Sequence, residues 1–409
     1  MDTHIDILSE GIASGAVVMT DAVRKLTIGG ITRLYPVYKV RLDYLYYNNQ
    51  NDRIATWISQ YKVDNDGQVP DPNNREEYNR VIESFIVESN PKAIKATTQN
   101  IREVDQREPA VVLYDGRIID GNRRFTCLRQ LAQENERFNY LETIILDKSV
   151  GSNVKQIKML ELSIQHGEEG KIDYHPVDVL VGLYVDIVET HLLSIEEYAR
   201  STNQKPSAVK KKIDVAKLMV EYLEFINAPQ QYHIARELEL NFPLEELLKM
   251  LKKCQSDEDA ESLKICVFSN IMMRTSSDLG RFVRKIKDVI SSPYYDDFIA
   301  EQTALSYKVL ESLPPVGQVN SETLRQTIKN NAELSNELSR SMDKALAKVQ
   351  HNETRTRPIS ILENASSLIG TVSPEMLVTL NSDETSVLSE QIDQIDEMLQ
   401  RIRKAIEIQ

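Results

Sequence analysis

The spacing of hydrophobic and polar positions divides the chain into two parts. Up to about residue 150, short β-branched and aromatic runs alternate with turn-forming residues and amphipathic segments, which predicts strands mixed with helices. From residue 153 onward the pattern predicts helices almost throughout. The predicted fold class is therefore α+β, a small mixed-sheet α/β domain followed by a mostly α-helical remainder.

A compact run of short elements lies in the first part. Ala110–Leu113 predicts a strand, Asp115 and Gly116 form a strong hairpin signature, and Ile118 begins the return strand. A helical pattern and a further strand follow, and this order is that of a small α/β unit. The predicted strands are 35–46, 110–113, 118–119 and 141–146.

The remaining segments have helical patterns, with linkers predicted where prolines and polar residues cluster, at 312–321 and 351–358. The predicted helices are 54–61, 76–88, 91–101, 123–135, 156–164, 176–190, 195–202, 207–225, 243–255, 278–291, 323–349 and 387–408. The expected units are an N-terminal arm at 1–33, the α/β domain at 34–150, a helical domain at 151–225, a second at 226–320 and a C-terminal helical region at 321–409.

Composition is that of an ordinary globular protein, with 41% hydrophobic and 27% charged residues. The formal net charge of −13 would repel DNA, so any DNA contact requires a local basic patch. Three cysteines without a CxxC pair indicate neither a zinc site nor a disulfide framework. The sequence start lacks a signal-peptide pattern and no apolar run approaches about 18 residues, so we expect a cytoplasmic protein without a membrane span.

The segment Asp120-Gly121-Asn122-Arg123-Arg124, which follows a predicted strand, has the features of a phosphate site. A glycine lets a ligand approach the backbone, and the amides and dipole of the helix that begins next favour an anion. Arg123 and Arg124 can make forked contacts to phosphate oxygens, and Asp120 could orient an arginine or hold a metal. The alternative is a surface turn with two solvated arginines.

This segment resembles the nucleotide site of the ParB and sulfiredoxin superfamily, in which a strand, a Gly-x-[Arg/His]-Arg turn and a helix form the site. The ParB motif is Gly-Glu-Arg-Arg-x-Arg. Gly121, Arg123 and Arg124 match it, whereas Asn122 replaces the acid and Thr126 the last arginine. The sulfiredoxin cysteine falls on Asn122, so sulfiredoxin chemistry is not expected. The resemblance implies a ParB/sulfiredoxin-like α/β domain that binds a nucleotide.

A second match lies downstream, where ParB proteins carry Glu-Asn-x-Gln-Arg on a helix and then Asp-Leu-x-Pro before a long helix. Gln165 and Pro176 match, whereas Ser163 and His166 replace the Asn and the Arg. In ParB this helix helps to hold the triphosphate and its magnesium. The resemblance therefore implies that the ligand is an NTP (CTP or ATP), with or without bound Mg²⁺. It also implies that Gln165 and His166 contact the nucleotide. His166 and His175 are alternatively metal or phosphate ligands.

The third match is a helix-turn-helix, so the resemblance to ParB spans residues 34 to 225. Ser194 with Glu197 three residues later is a capping box, and Ser207 is the predicted cap of a second helix. Between 195 and 217, six basic and three acidic residues suit a helix that faces phosphates. The alternative is a helical hairpin with a solvated lysine face. The predicted DNA-binding residues are Lys205, Ser207, Lys210, Lys211 and Lys212.

The last predicted helix carries hydrophobic residues spaced 4, 3, 4, 3 and 4 positions apart, which is the pattern of a coiled-coil seam. We expect this seam to join two chains in a homodimer, and the alternative is that it packs on its own domain. The seam consists of Leu388, Ile392, Ile395, Leu399, Ile402 and Ile406.

Three functions stay open at this level. The first is a ParB-like DNA-binding protein whose nucleotide site gates DNA binding or assembly. The second is an enzyme, an NTPase or a nuclease of the Asp-Gly-x-x-Arg type, which resembles phage-defence and restriction proteins. The third is an adaptor that kept the fold and lost the ligand. The sequence assigns no catalytic residue.

Overall fold

The computed structural model describes residues 7–28, 30–49, 51–147, 153–167 and 175–407. Within them, six strands form one mixed sheet and helices make up most of the rest, which confirms the α+β class. Among the helices described, none has both the length and the apolar character that a membrane crossing requires.

The six strands come from the first part of the chain. They are β1 (Val17–Ile28), β2 (Ile31–Arg41), β3 (Tyr46–Tyr47), β4 (Ala110–Leu113), β5 (Arg117–Asp120) and β6 (Tyr140–Leu146). Their order in the sheet is β1-β2-β6-β4-β5-β3, and neighbours are antiparallel except for the parallel pairs β6 with β4 and β5 with β3. The predicted hairpin joins β4 and β5, and the amide of Gly116 donates to the carbonyl of Leu113 at 3.0 Å.

Helices surround and follow the sheet. Those of the sheet-forming part are α1 (Ile7–Ser14), α2 (Ala55–Asp64), α3 (Arg75–Ser89), α4 (Pro91–Val104) and α5 (Asn122–Ala132). Those that follow are α6 (Val154–Gly167), α7 (Pro176–Leu183), α8 (Ile195–Ser201), α9 (Pro206–Phe225), α10 (Tyr232–Glu237), α11 (Asn241–Leu251), α12 (Asp257–Met272), α13 (Leu279–Ile290), α14 (Tyr295–Ser312), α15 (Ser321–Asn330), α16 (Ala332–Ile369), α17 (Pro374–Leu377) and α18 (Ser382–Glu407). A π-helical turn, Tyr184–Glu189, continues α7.

The centre of the sheet is the middle one of three layers. Alternate residues of a strand point to opposite faces. Val112 and Ile118 pack with α3, α4 and α5 on one face, while Val111 and Ile119 pack with α6 on the other. Because both faces are covered, every residue of β4 is buried, as its unbroken apolar run predicts.

The helical remainder is organised around a core that extends from Val177 to Val349. Helix α9 belongs to two cores, because Val209 and Ile213 in its first half pack with α8, whereas its second half joins the larger core. Residues on both sides of the boundaries expected at 225 and 320 therefore share one hydrophobic core.

Several elements differ from their sequence-based predictions. Residues 17–28 of the predicted arm form β1, an edge strand whose largely exposed residues lack the apolar run of a central strand. The strand predicted at 35–46 begins earlier, at Ile31, and ends at Arg41. The linker predicted at 351–358 is wrong, because these residues lie inside α16, where a proline removes one backbone hydrogen bond without ending the helix.

Candidate functional site

The junction that the sequence singles out is formed by β5, Gly121 and α5. Gly121 adopts a φ of +108°, a left-handed conformation that favours glycine, and precedes the first residue of α5. A Cβ at Gly121 would lie 2.7 Å from the Cβ of Ala110 on the neighbouring strand. The first amides of α5 have no acceptor within the helix, and this arrangement attracts an anion.

Arg124, the second arginine of the motif, forms hydrogen bonds with other groups of the protein. It donates to Asp120 Oδ2 at 3.1 Å and to the carbonyl of Glu108 at 2.7 Å. Asp120 Oδ2 also lies 3.7 Å from the guanidinium of Arg24 on β1. Asp120 is therefore held by two cations, and Arg124 fastens the start of α5 to the segment that precedes β4.

Arg123 has a different environment, although it is the neighbouring residue. It is half-buried, and in the part of the chain that the structure describes its guanidinium has neither a hydrogen bond nor an ion pair. Burial lowers the pKa of Arg123, and the positive charge of Arg53 lowers it further. A guanidinium stays protonated in proteins. A partly desolvated positive charge that has no ion pair among the described residues therefore lies at the start of α5.

Asn122 adds a second polar group in need of a partner. Its side chain is almost fully buried, and within the described residues its Oδ1 atom has no hydrogen-bond partner. The oxygen and nitrogen of an amide are assigned from their surroundings, so this group can accept from a base or hydroxyl, or donate to an anion. Buried polar atoms without partners are rare in native proteins, and such an atom at a helix start is suited to contact a ligand.

The second group of predicted nucleotide-binding residues is on α6. Gln165 donates to Glu161 Oε1 at 3.0 Å, and Asn48 donates to Glu161 Oε2 at 3.2 Å. His166 belongs to the last turn of α6, but its side chain lies outside the described residues, as do residues 168–174. Gln165 is thus joined to a buried carboxylate and to the segment after β3.

His175 and Pro176 begin α7. His175 Nδ1 accepts the amide hydrogen of Val177 at 3.3 Å, and Pro176 occupies the first helical position, where proline is favoured. Burial lowers the pKa of His175, and Arg236 contributes in the same direction. The ring is therefore neutral at neutral pH, and its role in this structure is that of a helix cap.

Sequence analysis missed a buried ionic cluster beside the candidate site. Lys158 of α6 lies 2.5 Å from Asp52 and 3.3 Å from Asp186, and Glu161 follows three positions later on α6. Gly182 of α7 makes room for the cluster, because a Cβ there would lie 2.5 Å from the carboxyl carbon of Asp52. The one sequence signal for this cluster was the presence of Lys158 and Glu161 among the apolar positions of α6. The other members, Asp52 and Asp186, are far from α6 along the sequence.

Among the described residues, this cluster holds three carboxyl groups and one cation. Burial lowers the pKa of Lys158, but Asp52, Glu161 and Asp186 raise it above its usual value. Burial raises the pKa of Glu161 to about 8 and that of Asp186 to about 6, against the opposing influence of Lys158. Glu161 therefore holds a proton at neutral pH, which reduces the excess of negative charge.

A further ionic contact joins the two parts of the chain. Arg236 of α10 donates to Asp178 of α7 at 2.5 Å, and Thr56 of α2 donates to the same carboxylate at 2.8 Å. Burial raises the pKa of Asp178 to about 6, although Arg236 opposes the shift. Because α2 follows directly after the turn that carries Arg53, these contacts fix that turn relative to the helical remainder.

Helices α8 and α9 lie at the two helix positions predicted for the helix-turn-helix, and they pack against each other as a helical hairpin. The capping box is confirmed, since Ser194 accepts the amide hydrogen of Glu197 at 3.2 Å and donates its own to Glu197 Oε2 at 2.9 Å. The predicted cap Ser207 is wrong. Lys205 precedes the helix and Pro206 occupies its first position, because proline is pre-organised for that place, so Ser207 lies inside the first turn.

The three consecutive lysines of α9 differ in their surroundings. Lys210 is exposed, whereas Lys211 lies 3.7 Å from Glu245 of α11. Lys212 is half-buried and donates to Gln204 in the turn at 2.7 Å, and burial lowers its pKa. Lys205 and Ser207 are exposed at the start of the helix. Of the predicted DNA-binding residues, Lys205, Ser207 and Lys210 are therefore exposed without an ion pair among the described residues, whereas Lys211 and Lys212 have partners within the protein.

Helix α6 touches both candidate sites. It packs against β5, the strand that leads into Gly121, and against α8. Lys155 of α6 forms an ion pair with Glu197 of α8 at 2.6 Å. A displacement of α6 would therefore change the packing next to the start of α5 and at the helical hairpin.

Comparisons with known proteins find no relative. No family model, no curated protein and no solved structure matches the chain. The ParB resemblance therefore stays a prediction from the motifs above. Among the described side chains, no group of three or more His, Cys, Asp or Glu residues has the geometry of a metal site.

Proposed function

We propose that this chain binds a nucleotide through its phosphates at the start of α5 and contacts DNA through the α8–α9 hairpin. The ParB resemblance supplies the classes of ligand and partner. The observation that carries the nucleotide part is Arg123, a half-buried guanidinium at a helix start with neither a hydrogen bond nor an ion pair among the described residues.

The structure suggests different roles for the two arginines. Arg123 binds phosphate oxygens, with Arg53 as a second positive charge nearby and Asn122 as a polar contact. Arg124 and Asp120 hold the junction in shape through the bonds that they make with each other and with the segment before β4. The nuclease alternative would require Asp120 to bind a metal, but two arginines already surround its carboxylate.

Calorimetric titration with ATP, CTP, GTP and UTP, each with and without Mg²⁺, tests the nucleotide site. The Arg123→Ala variant removes a charge-assisted contact of roughly 1.5–3 kcal/mol, so its affinity should fall about tenfold or more. Arg102→Ala is the matched control, because Arg102 is exposed on α4 and pairs with Glu134. A wild-type chain that binds no NTP, or a folded Arg123→Ala variant with unchanged affinity, would reject the proposal.

Binding to duplex DNA at several salt concentrations tests the hairpin. Replacing Lys205 and Lys210 by Ala should flatten the slope of log affinity against log salt by about 2 units, since each phosphate contact contributes roughly 0.9. Lys212→Ala is the control, because Lys212 is half-buried and engaged with Gln204. Equal slopes for the double variant and the parent would exclude this surface.

The contacts of α6 give a route by which nucleotide could affect DNA binding. Repeating the DNA titration with saturating nucleotide tests the gating. A change in DNA affinity that Arg123→Ala abolishes supports a nucleotide-gated DNA-binding protein. Nucleotide-dependent DNA cleavage would favour the nuclease instead, and binding of neither ligand would favour the adaptor.

A further inference from the structure

We propose that two copies of this chain pair through α18 in antiparallel orientation. The proposal goes beyond the nucleotide and DNA sites and does not depend on them. Helix α18 is 26 residues long, and none of its residues is buried. Most helical stability in proteins comes from the packing of an apolar face. We therefore expect the apolar side of α18 to pack against another surface.

The exposed apolar residues of α18 form one continuous stripe. Ile392 and Ile406 are 57% and 65% exposed, and even Ile395 and Leu399 are each 38% exposed. The alternating spacing of four and three keeps the stripe on one side of a helix and lets side chains of a second helix fit between its own. The structure preserves the seam from Leu388 onward, because residues 382–407 form one unbroken helix.

The charges of α18 identify a second copy as the occupant and give its direction. The part before Met398 contains six acidic and no basic residues, and the part after it three basic residues and one acidic residue. In a parallel pair the acidic parts would lie side by side and repel each other, whereas an antiparallel pair places each acidic part against the basic part of the other copy. The charged residues are Asp383, Glu384, Glu390, Asp393, Asp396 and Glu397, followed by Arg401, Arg403, Lys404 and Glu407.

The apolar seam is also self-complementary in the antiparallel orientation. When Leu388 of one copy faces Ile406 of the other, Ile395 faces Leu399 and each apolar position meets an apolar position. The two-fold axis then lies at the level of Glu397, midway along the seam. A closed two-fold contact of this kind uses the same surface of both copies and leaves no apolar end uncovered.

The molar mass of the full chain by light scattering tests the pairing. The wild type should give twice the 46.8 kDa of one chain. Ile395→Glu with Leu399→Glu places charges in the seam and should give a folded monomer. Val387→Glu with Gln394→Glu is the matched control, because it adds the same charge to the flank of the helix and should stay dimeric. A monomeric wild type, or an assembly that survives the seam substitutions, would overturn the proposal.

Spin labels test the direction. Single cysteines replace Glu390, Glu397 or Lys404, all outside the seam, in a background in which the half-buried Cys254 is serine. The distance between copies should be shortest at Glu397 and longer by similar amounts at the other two positions, because each is offset by roughly 21 Å along the axis at 1.5 Å per residue. Equal distances at the three positions would show a parallel pair and overturn the antiparallel arrangement.

Discussion

Two neighbouring regions of the α/β part carry opposite excesses of charge. At the start of α5, Arg123 is half-buried near the positive charge of Arg53, and it has neither a hydrogen bond nor an ion pair among the described residues. One residue from Arg53, Asp52 begins a fully buried cluster in which three carboxylates surround Lys158. The first region contains a cation, Arg123, that has no ion pair among the described residues, and the second contains more carboxyl groups than cations among those residues.

The difference lies in how each excess can be neutralised. A buried carboxylate can take up a proton, and burial raises the pKa of Glu161 to about 8 for this reason. A guanidinium does not give up its proton, so the excess at α5 can be neutralised only by a counter-charge. The buried cluster is therefore complete within the protein, whereas the start of α5 is suited to an anion from outside.

The largest expected effect comes from removing Lys158, the one cation that the described residues contribute to the buried cluster. Lys158→Met keeps most of the side-chain volume but leaves Asp52 and Asp186 without their counter-charge. Breaking a buried ion pair in this way costs about 3–5 kcal/mol. Urea denaturation near neutral pH should show this loss in the free energy of unfolding.

Lys155→Met on the same helix is the control for this prediction. Lys155 pairs with Glu197 while 43% of its side chain is exposed. Exposed ion pairs contribute about 0–1 kcal/mol, so this variant should be almost as stable as the parent. Equal losses for the two variants would show that the buried cluster is not held together by Lys158.

The second effect concerns the proton on Glu161. Its pKa of about 8 in the folded chain exceeds the ordinary value of about 4.3 of a glutamate in the unfolded chain. Between these values the folded state binds more protons, so stability falls as pH rises, by at most about 1.4 kcal/mol per pH unit. Glu161→Gln resembles the protonated acid and should remove this part of the pH dependence.

The free energies of unfolding of the parent and of Glu161→Gln, measured at pH 6, 7 and 8, give this pH dependence. The difference between Glu161→Gln and the parent reports the proton on Glu161 together with its effect on the neighbouring Asp186, because the histidines are present in both. The variant should gain stability relative to the parent as pH rises. Parallel curves would mean that Glu161 stays ionised across this range and that another group balances its charge.

The same two regions show what the sequence could predict. The junction at Gly121 was predictable because strand, turn, glycine and helix start are consecutive, so local patterns contain the whole arrangement. The sequence could not distinguish Arg123 from Arg124, since their difference depends on Asp120 and on the carbonyl of Glu108. The buried cluster could not be predicted, because its members lie on segments that only tertiary packing brings together.

In the helical remainder, too, some elements were predictable from the sequence and others were not. Helix α13 was predicted because its apolar residues occupy one face, as in Phe282 and Ile286. Helix α12 was missed because it is buried on several sides, so that residues from Leu263 to Met272 show no single apolar face. Periodicity thus finds helices at the surface of a core more readily than those inside it.

The smallest expected effect separates the two arginines by stability alone. Arg124→Ala removes the bonds to Asp120 and to Glu108, and it should cost about 1–2 kcal/mol, because Arg24 stays near Asp120 and limits the loss. Arg123→Ala removes a charge that is partly desolvated and has no ion pair among the described residues, so stability should change by less than about 0.5 kcal/mol. Urea denaturation of the two variants without nucleotide measures both values. If Arg123→Ala cost as much as Arg124→Ala, Arg123 would have a partner within the protein, and the start of α5 would lose its distinction from the buried cluster.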